Sequence, residues 1–173
     1  MMYTITRQIE IDSAHRIPDH RSKCKSLHGH RYRILATCKG PLYAEGEQKG
    51  MVLDFGFLKD FMMSEIYHPC DHGTILSIDD PYTLGFLRNG EEDLRVARTC
   101  LDHRLWAFYV NGKYGKLYLM EQVPTAENLA QHWFTRIGSK IRELRGELKV
   151  SPQVELTSVV VYETPNCSAE YVI

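Results

Sequence analysis

The sequence predicts an α+β protein with strands near both ends of the chain and two helices between them. Residues 3–15 and 28–38 alternate in residue type with a period of two, as in strands that bury one face. Residues 54–67 and 124–146 carry apolar side chains at helical spacing, and residues 153–163 are rich in β-branched types. Strands that precede and follow a helical pair predict an antiparallel sheet with both helices on one face.

The first two strands each carry histidines at one end of their predicted inner face. In the first strand, Ile9 and Ile11 lie on the same face as His15. In the second strand, His28 and His30 begin a face that continues into apolar positions, namely Tyr32, Ile34, Ala36 and Cys38. The pattern predicts two strands whose inner faces are apolar along most of their length and polar at one end.

The helices have recognisable start and stop signals. Asp54 is suited to cap the first helix, and Thr125 to cap the second. Gly146 is a suitable stop for the second helix. Residues 168–173 predict a short final strand, and residues 91–103 a further helix. A hairpin is predicted over 104–121, with Asn111-Gly112 as its turn.

Composition limits the classes of partner and compartment. The chain has 173 residues and a net charge of -1, so nothing indicates a nucleic-acid groove or an anionic membrane partner. No apolar run approaches the roughly 20 residues that a membrane span needs. The N-terminus does not have the pattern of a signal peptide, and the five cysteines show no regular spacing. We therefore expect a cytoplasmic protein with reduced thiols.

The segment His28-Gly29-His30 predicts a metal site. Residues two apart on a strand point to the same face, with Cα atoms about 6.5–7 Å apart, so both imidazoles can reach one ion. His15 on the first strand is the natural third ligand. Three protein ligands with one open position are typical of catalytic zinc sites. The alternative is a half-exposed pair of surface histidines, since short motifs match by chance.

Three further features have both a functional and an ordinary interpretation. Cys24 lies four residues before His28, where a thiol near a metal could exchange protons, or it could be an inert small side chain. Asp71 can orient His72 for proton transfer, provided that the two lie in a turn or at a helix start. Glu163 ends an apolar strand and either faces solvent or needs a partner with paired N–H donors, such as a pterin or guanine ring.

Taken together, these segments resemble the 6-pyruvoyltetrahydropterin synthase and 6-carboxytetrahydropterin synthase family. They occur in the family's order and span nearly the whole chain, which makes their joint occurrence specific. The matching segments are "SAHR" (13–16), Cys24 with "LHGHRY" (27–32), "GMVLDFGFLK" (50–59), "DHGTIL" (71–76), "PTAEN" (124–128) and "YETPN" (162–166).

The resemblance implies the tunnelling fold, or T-fold, in which sheets from several subunits join into a barrel with helices outside. It also implies a homo-oligomer with active sites between subunits. The family pattern makes the three histidines the ligands of Zn²⁺, namely His15, His28 and His30.

The resemblance also implies a role for each remaining candidate. Cys24 becomes the catalytic thiol, with Asp71 and His72 as its proton-relay partners. Glu163 becomes the residue that anchors the pterin ring. Two further pocket residues are implied, namely Thr125 and Glu127.

The spacing between Cys24 and His28 separates two branches of the family. Three residues lie between them, "KSL", as in the bacterial 6-carboxytetrahydropterin synthases of the queuosine (7-deazaguanine) pathway. Their substrate is 7,8-dihydroneopterin triphosphate, and their products are 6-carboxytetrahydropterin, acetaldehyde and triphosphate. The alternatives are a 6-pyruvoyltetrahydropterin synthase of the tetrahydrobiopterin pathway, a non-catalytic pterin- or purine-binding T-fold protein, and a zinc-stabilised structural module.

Some features fall outside the family pattern or stay open within it. A triphosphate must meet positive charge, and four basic residues flank the motifs, either as phosphate contacts or as surface charges: Arg16, Lys23, Lys25 and Arg31. Cys70 stands where the family commonly has an apolar residue. The stretch 74–123 is longer than usual, so we expect one domain over 1–173 with an elaboration at about 79–122, as an extra hairpin, a lid or a partner surface.

Overall fold

The alternating segments form strands, as their period predicts. The computed structural model describes residues 1–102, 107–146, 151 and 153–173. Its strands are β1 (Tyr3–His15), β2 (His28–Gly40), β3 (Gly73–Ser77), β4 (Phe108–Gly112), β5 (Gly115–Met120), β6 (Glu155–Thr164) and β7 (Cys167–Val172). Within the described residues these seven strands form one sheet in the order β4-β5-β3-β1-β2-β6-β7.

The predicted helices form where their start signals stand. They are α1 (Phe55–Met62), which continues through a π-helical turn (Met63–Tyr67) into α2 (His68–Cys70), then α3 (Thr83–Phe86), α4 (Glu91–Asp102) and α5 (Ala126–Gly146). The Asp54 carboxylate accepts from the Gly56 N–H at 2.7 Å, and the Thr125 hydroxyl accepts from the Asn128 N–H at 3.3 Å, so both predicted caps are confirmed. Residues 147–150, which follow the predicted stop at Gly146, lie outside the described residues.

The sheet is antiparallel across β1, β2, β6 and β7, as expected, but it is not antiparallel throughout. β3 runs parallel to β1 on one side and to β5 on the other. The sequence did not predict β3, because five residues directly after a helix give too short a pattern to recognise. β3 matters for the site because it pairs with the end of β1 that carries His15.

The main core lies between the sheet and the pair α1 and α5, which cover the same face as predicted. Buried side chains of the helices, such as Leu58 and Trp133, pack with inner-face residues of the strands, such as Ile34 and Val159. Burial of such large apolar side chains contributes about 1.5–3 kcal/mol each. Cys70 belongs to this core, where burial raises the pKa of its thiol, so it takes the place of an apolar residue.

The helix α4 covers the opposite face of the sheet. Leu117 and Leu119 of β5 pack with Ala97 and Leu101 of α4 in a second apolar cluster. Tyr118, which alternates with them, belongs to the main core on the other side. Successive strand residues point to opposite faces of a sheet. The edge of the sheet formed by β3, β5 and β4 is therefore covered by the main core on one face and by α4 on the other. The prediction that the two main helices share one face is confirmed for α1 and α5, and α4, for which no face was predicted, lies on the other.

The hairpin β4-β5 forms, but its turn is displaced from the predicted position. Asn111 pairs with Lys116 and Gly112 with Gly115, so the turn residues are Lys113 and Tyr114. The prediction of Asn111-Gly112 as the turn was wrong by two residues. Gly112 instead allows close approach, since a Cβ there would lie 2.5 Å from the Phe86 carbonyl oxygen. The tip is exposed, as expected, and Tyr114 is 77% accessible. His103 and residues 104–106 lie outside the described residues.

Buried polar contacts connect α5 to the elements beneath it. The Tyr118 hydroxyl lies 2.7 Å from His132 Nε2, and Glu65 of the π-helical turn forms an ion pair with Arg136. Burial lowers the pKa of His132 to about 3, so His132 is neutral and shares one hydrogen bond with the Tyr118 hydroxyl. In the described part of the chain, no helix is both long and apolar enough to cross a membrane.

Candidate metal centre and active site

Three histidines meet at the end of the β1-β2 pair, as the spacing predicted. His15 lies directly across from His28 in the antiparallel register, and His30 faces Ser13. One possible ligand atom from each of the three histidines lies within 4.8 Å of the other two. The ring centroids are 4.5 Å apart for His15 and His28, and 5.0 Å apart for His28 and His30. This arrangement can hold one metal ion.

Backbone carbonyls fix the orientation of two of these rings. His15 Nδ1 lies 2.7 Å from the Pro124 carbonyl oxygen, and His28 Nδ1 lies 2.8 Å from the Ser26 carbonyl oxygen. A carbonyl can only accept, so each Nδ1 carries the proton and each Nε2 keeps its lone pair. Such contacts are typical of metal-ligating histidines, because they set the tautomer and the ring orientation.

The chemistry of these groups fits a metal ion. His15 Nε2 is buried and has no hydrogen-bond partner among the described residues, although a buried polar atom normally has one. Burial lowers the pKa of His15 to about 4, and burial also lowers the pKa of His30. Both rings are therefore neutral near pH 7, which is the form that binds a metal. The three donors fit a metal ion and leave a further coordination position open.

Tyr32 forms the floor beneath the histidines. Its ring lies 5.7 Å from that of His15 and 5.4 Å from that of His30, in edge-to-face contact. It is fully buried, and burial raises the pKa of its hydroxyl. Sequence reasoning gave Tyr32 no role, although its position two residues after His30 on the same strand face was the available signal. The apolar floor excludes water from one side of the cluster.

Glu163 lies at the rim of the cluster. It stands at a register shift in β6, opposite β7, and its Oε1 lies 3.8 Å from His15 Nε2. Its side chain is 25% exposed, so the carboxylate is open to a ligand on one side. A ring bound by this carboxylate would lie next to the metal position.

The start of α5 reaches the same place. The Pro124 carbonyl that holds His15 directly precedes Thr125, the cap of α5, and Glu127 lies exposed in the first turn of that helix. The predicted pocket residues Thr125 and Glu127 are thus brought to the side of the cluster occupied by the helix terminus. Their contact with a ligand stays a prediction.

Cys24 lies in a short loop between β1 and β2. A single 3₁₀ turn (Lys23–Lys25) presents it, and the Ile17 N–H donates to its carbonyl oxygen at 2.8 Å. The residue is half-buried. The charge of Lys23 contributes to lowering the pKa of His30. The loop presents a partly accessible thiol between β1 and β2, the two strands that carry the histidines.

Asp71 and His72 form the predicted pair in a turn. This turn lies between α2 and β3. Asp71 Oδ2 and His72 Nδ1 are 2.8 Å apart, and Asp71 Oδ1 accepts from the Asp12 N–H at 3.0 Å. Burial alone would raise the pKa of Asp71, but these hydrogen bonds lower it. His72 adopts a φ of 54° and its side chain is 77% exposed. Within the described residues, no hydrogen bond joins the pair to Cys24.

The environment of this pair is the outer face of the sheet. Arg31 donates two hydrogen bonds of 2.9 Å to the Asp12 carboxylate. Asp12 and Arg31 alternate with the histidine positions along β1 and β2. Their side chains therefore project from the other face of the sheet, away from the metal cluster. The His72 N–H donates to the Asp12 carbonyl oxygen at 2.7 Å, which places the pair beside these two residues. One chain thus presents the metal cluster and the Asp71-His72 pair in different directions.

The four basic residues are in different environments. Arg16 is only 3% exposed and lies against Asp80, so it is neither an exposed phosphate contact nor a surface charge. Arg31 is paired with Asp12. Lys23 and Lys25 are exposed on the turn that carries Cys24.

Comparison with known proteins gives a consistent result. A family model described as 6-pyruvoyl tetrahydropterin synthase matches residues 4–172. The 6-carboxy-5,6,7,8-tetrahydropterin synthase of Rickettsia conorii is 35% identical over 98% of this chain and 99% of its own length. The Haemophilus influenzae protein of the same name is 28% identical over 98% of this chain and 99% of its own length. The solved 6-pyruvoyl tetrahydropterin synthase of Caenorhabditis elegans has a TM-score of 0.60 at 19% identity, covering 100% of this chain and 96% of that one.

Proposed function

The chain belongs to the 6-pyruvoyl tetrahydropterin synthase family and has the tunnelling fold, and on that premise we propose that it is a zinc-dependent 6-carboxytetrahydropterin synthase of the queuosine pathway. It is an enzyme of the tetrahydropterin synthase type. The proposed reaction converts 7,8-dihydroneopterin triphosphate and water to 6-carboxytetrahydropterin, acetaldehyde and triphosphate. The observation that carries the proposal is the Glu163 carboxylate 3.8 Å from a buried ring nitrogen of the three-histidine cluster.

The three histidines would hold the zinc. The imidazoles of His15, His28 and His30 are donors that suit Zn²⁺, and the unpartnered Nε2 of His15 supports this ligand set. When bound, zinc would supply a Lewis acid for the oxygens of the substrate side chain. The carbonyls of Pro124 and Ser26 accept hydrogen bonds from Nδ1 of His15 and His28. They thereby orient the two rings with Nε2 directed away from these carbonyls.

Glu163 would bind the pterin ring. A pterin presents two N–H donors on one edge, and these match the two oxygens of a carboxylate in a charge-assisted pair. The partial exposure of Glu163 leaves room for such a ring beside the metal position. Thr125 and Glu127, at the start of α5, are proposed as further walls of the same pocket.

Cys24 and the Asp71-His72 pair would move protons to and from the substrate side chain. Asp71 Oδ2 accepts from His72 Nδ1, so the exposed Nε2 of His72 can accept a proton. The pair and Cys24 do not meet within one chain, and proton transfer needs hydrogen-bond distance. We therefore propose a homo-oligomer in which Asp71 and His72 of one subunit serve the Cys24 side of another.

Lys23 and Lys25 are the proposed contacts for the triphosphate. Both are exposed on the turn that presents Cys24, whereas Arg16 and Arg31 are engaged with carboxylates. A triphosphate bound there would keep the side chain of the substrate beside the thiol. Charge neutralisation of this kind fixes orientation as well as affinity.

The segment 79–122 is proposed as an elaboration of the family core within a single domain. It supplies α3, α4, β4 and β5, and much of the second apolar cluster lies within it. Because α4 covers the face of the sheet opposite to α1 and α5, the segment extends the sheet without displacing the main core.

A second candidate is a 6-pyruvoyltetrahydropterin synthase, and the description of the matching family model favours it. Both candidates use the same substrate, so only the products separate them. The test is to incubate the purified protein with 7,8-dihydroneopterin triphosphate and zinc, and to identify the products by mass spectrometry. The proposal expects 6-carboxytetrahydropterin with acetaldehyde. A pyruvoyl product without acetaldehyde would support the second candidate, and binding without turnover would indicate a pterin-binding protein.

A further inference from the structure

A buried ion pair lies immediately after the last residue of β1. The Arg16 side chain is 4% exposed and that of Asp80 is fully buried, and Arg16 Nη1 lies 3.4 Å from Asp80 Oδ1. The guanidinium carbon also lies 3.7 Å from the centre of the Tyr82 ring. Arg16 Nε and Nη1 have no hydrogen-bond partner among the described residues, so Asp80 and the ring compensate its charge.

Asp80 is itself held by a tight turn after β3. Its Oδ1 accepts from the Tyr82 N–H at 2.8 Å, and its N–H donates to the Ser77 carbonyl at 3.0 Å. The buried Thr83 hydroxyl donates to the same Ser77 carbonyl at 2.8 Å. The carboxylate therefore has a fixed position relative to β3, which pairs with β1 up to His15.

Arg16 is the first residue after the last strand pair of β1. The pairing of β1 with β2 and with β3 ends at His15, so beyond it the backbone leaves the ladder. Arg16 is adjacent to a metal-ligating position and begins the loop that carries Cys24. A buried side chain fixed at this point restricts the backbone dihedrals of His15 and of the loop together.

We propose that Arg16, Asp80 and Tyr82 form a clamp that positions His15 for metal binding. The inference rests on the proposed metal site and adds to it a function for the segment after β3. Arg16 and Asp80 are positioning residues, because they act on the metal through the backbone of His15 and not by contact. The clamp would also make the metal site dependent on the segment 79–122, which contributes Asp80 and Tyr82.

The test compares metal binding in the full-length wild type with three single variants. Asp80→Asn keeps the shape of the side chain but removes the charge opposite Arg16. Tyr82→Leu removes the ring under the guanidinium at a residue that is 48% exposed. Asp79→Asn is the matched control, since Asp79 is the adjacent residue and pairs with Arg98 at the surface, at 2.8 Å. Each protein is loaded with Co²⁺, and its affinity is measured by competition with a chelator.

The absorption spectrum of bound Co²⁺ supplies a second readout, because it reports the geometry of the ligands and not the stability of the fold. Asp80→Asn is expected to lose affinity at least about tenfold and to change the spectrum, as for other residues that orient a ligand. Tyr82→Leu is expected to lose about threefold, the size of a partly exposed cation–π contact. Asp79→Asn should match the wild type in both readouts.

Several outcomes would overturn the clamp. Wild-type affinity and spectrum in Asp80→Asn would overturn it, even if the melting temperature of the variant fell. The Arg16–Asp80 pair would then only stabilise the packing of the segment 79–122 and would not position His15. If Asp80→Asn does not fold, Tyr82→Leu decides, and an unchanged affinity and spectrum there would refute the inference. An equal loss in Asp79→Asn would also refute it, by indicating general loosening. Failure of the wild type to bind any metal would instead contradict the proposed metal site.

Discussion

Replacing Glu163 by glutamine tests what the pocket binds. Glu163→Gln keeps the size of the side chain, but removes its charge and turns one acceptor into a donor that would face the pterin's 2-amino group. A hydrogen bond to a charged group is worth about 1.5–3 kcal/mol, and the variant weakens one such bond and breaks the other. Since Glu163 is 25% exposed, water compensates part of the loss. We expect a loss of about 2–4 kcal/mol, which is about 30- to 1,000-fold in affinity.

The assay is a binding titration with sepiapterin or biopterin, together with metal analysis of the same samples. Metal content should be unchanged, because Glu163 lies beside His15 and is not one of the three converging histidines. Glu155→Gln is the matched control, since Glu155 is an exposed glutamate at the start of the same strand. It should bind pterin as the wild type does.

A wild-type pterin affinity in Glu163→Gln would refute the role of Glu163 as the anchor. The assignment of pterins as the substrate class would then have to be reconsidered. Loss of metal together with pterin would contradict the separation of the two sites.

Four further predictions concern the thiol, the metal ligands, a buried hydrogen bond and the pH dependence of stability. Cys24→Ala should fold, keep its metal and lose turnover by orders of magnitude in a product assay, whereas near-normal turnover would make Cys24 an inert side chain. His28→Ala and His30→Ala should each lose metal, and full occupancy by metal analysis would contradict the ligand set. Tyr118→Phe leaves His132 Nε2 buried without its hydrogen-bond partner and should lower the free energy of unfolding by about 1–3 kcal/mol in urea. Because the folded-state pKa of His132 is lowered from 6.5 to about 3, the unfolded state binds more protons, so stability should fall as pH decreases through that window. The double variant Tyr118→Phe/His132→Leu should show a shallower decline, and an unchanged slope would contradict this origin.

The metal cluster was predictable from the sequence because it depends on local geometry. His28 and His30 share a face through the period of two, and His15 ends a strand of the same type. The caps at Asp54 and Thr125 were likewise predictable, since each depends on a contact with a residue two or three positions away.

Features that depend on non-local pairing could not be predicted. β3 (Gly73–Ser77) is recognisable only through its parallel neighbours, which lie about 40 to 60 residues away in the sequence. Arg16 had the appearance of a surface charge because its partner, Asp80, meets it only after β3 has paired with β1. The separation of Cys24 from Asp71 and His72 also follows from the fold, because Cys24 lies in the loop between β1 and β2, whereas Asp71 and His72 lie in the turn before β3 and are hydrogen-bonded to the backbone of Asp12.

The identification of the reaction products tests the central claim most directly. The purified protein is incubated with zinc and 7,8-dihydroneopterin triphosphate, and the products are separated and identified by mass. The proposal predicts 6-carboxytetrahydropterin, acetaldehyde and triphosphate in equal amounts, with turnover lower by orders of magnitude in Cys24→Ala. Formation of 6-pyruvoyltetrahydropterin without acetaldehyde, or no conversion by a zinc-loaded protein, would contradict it.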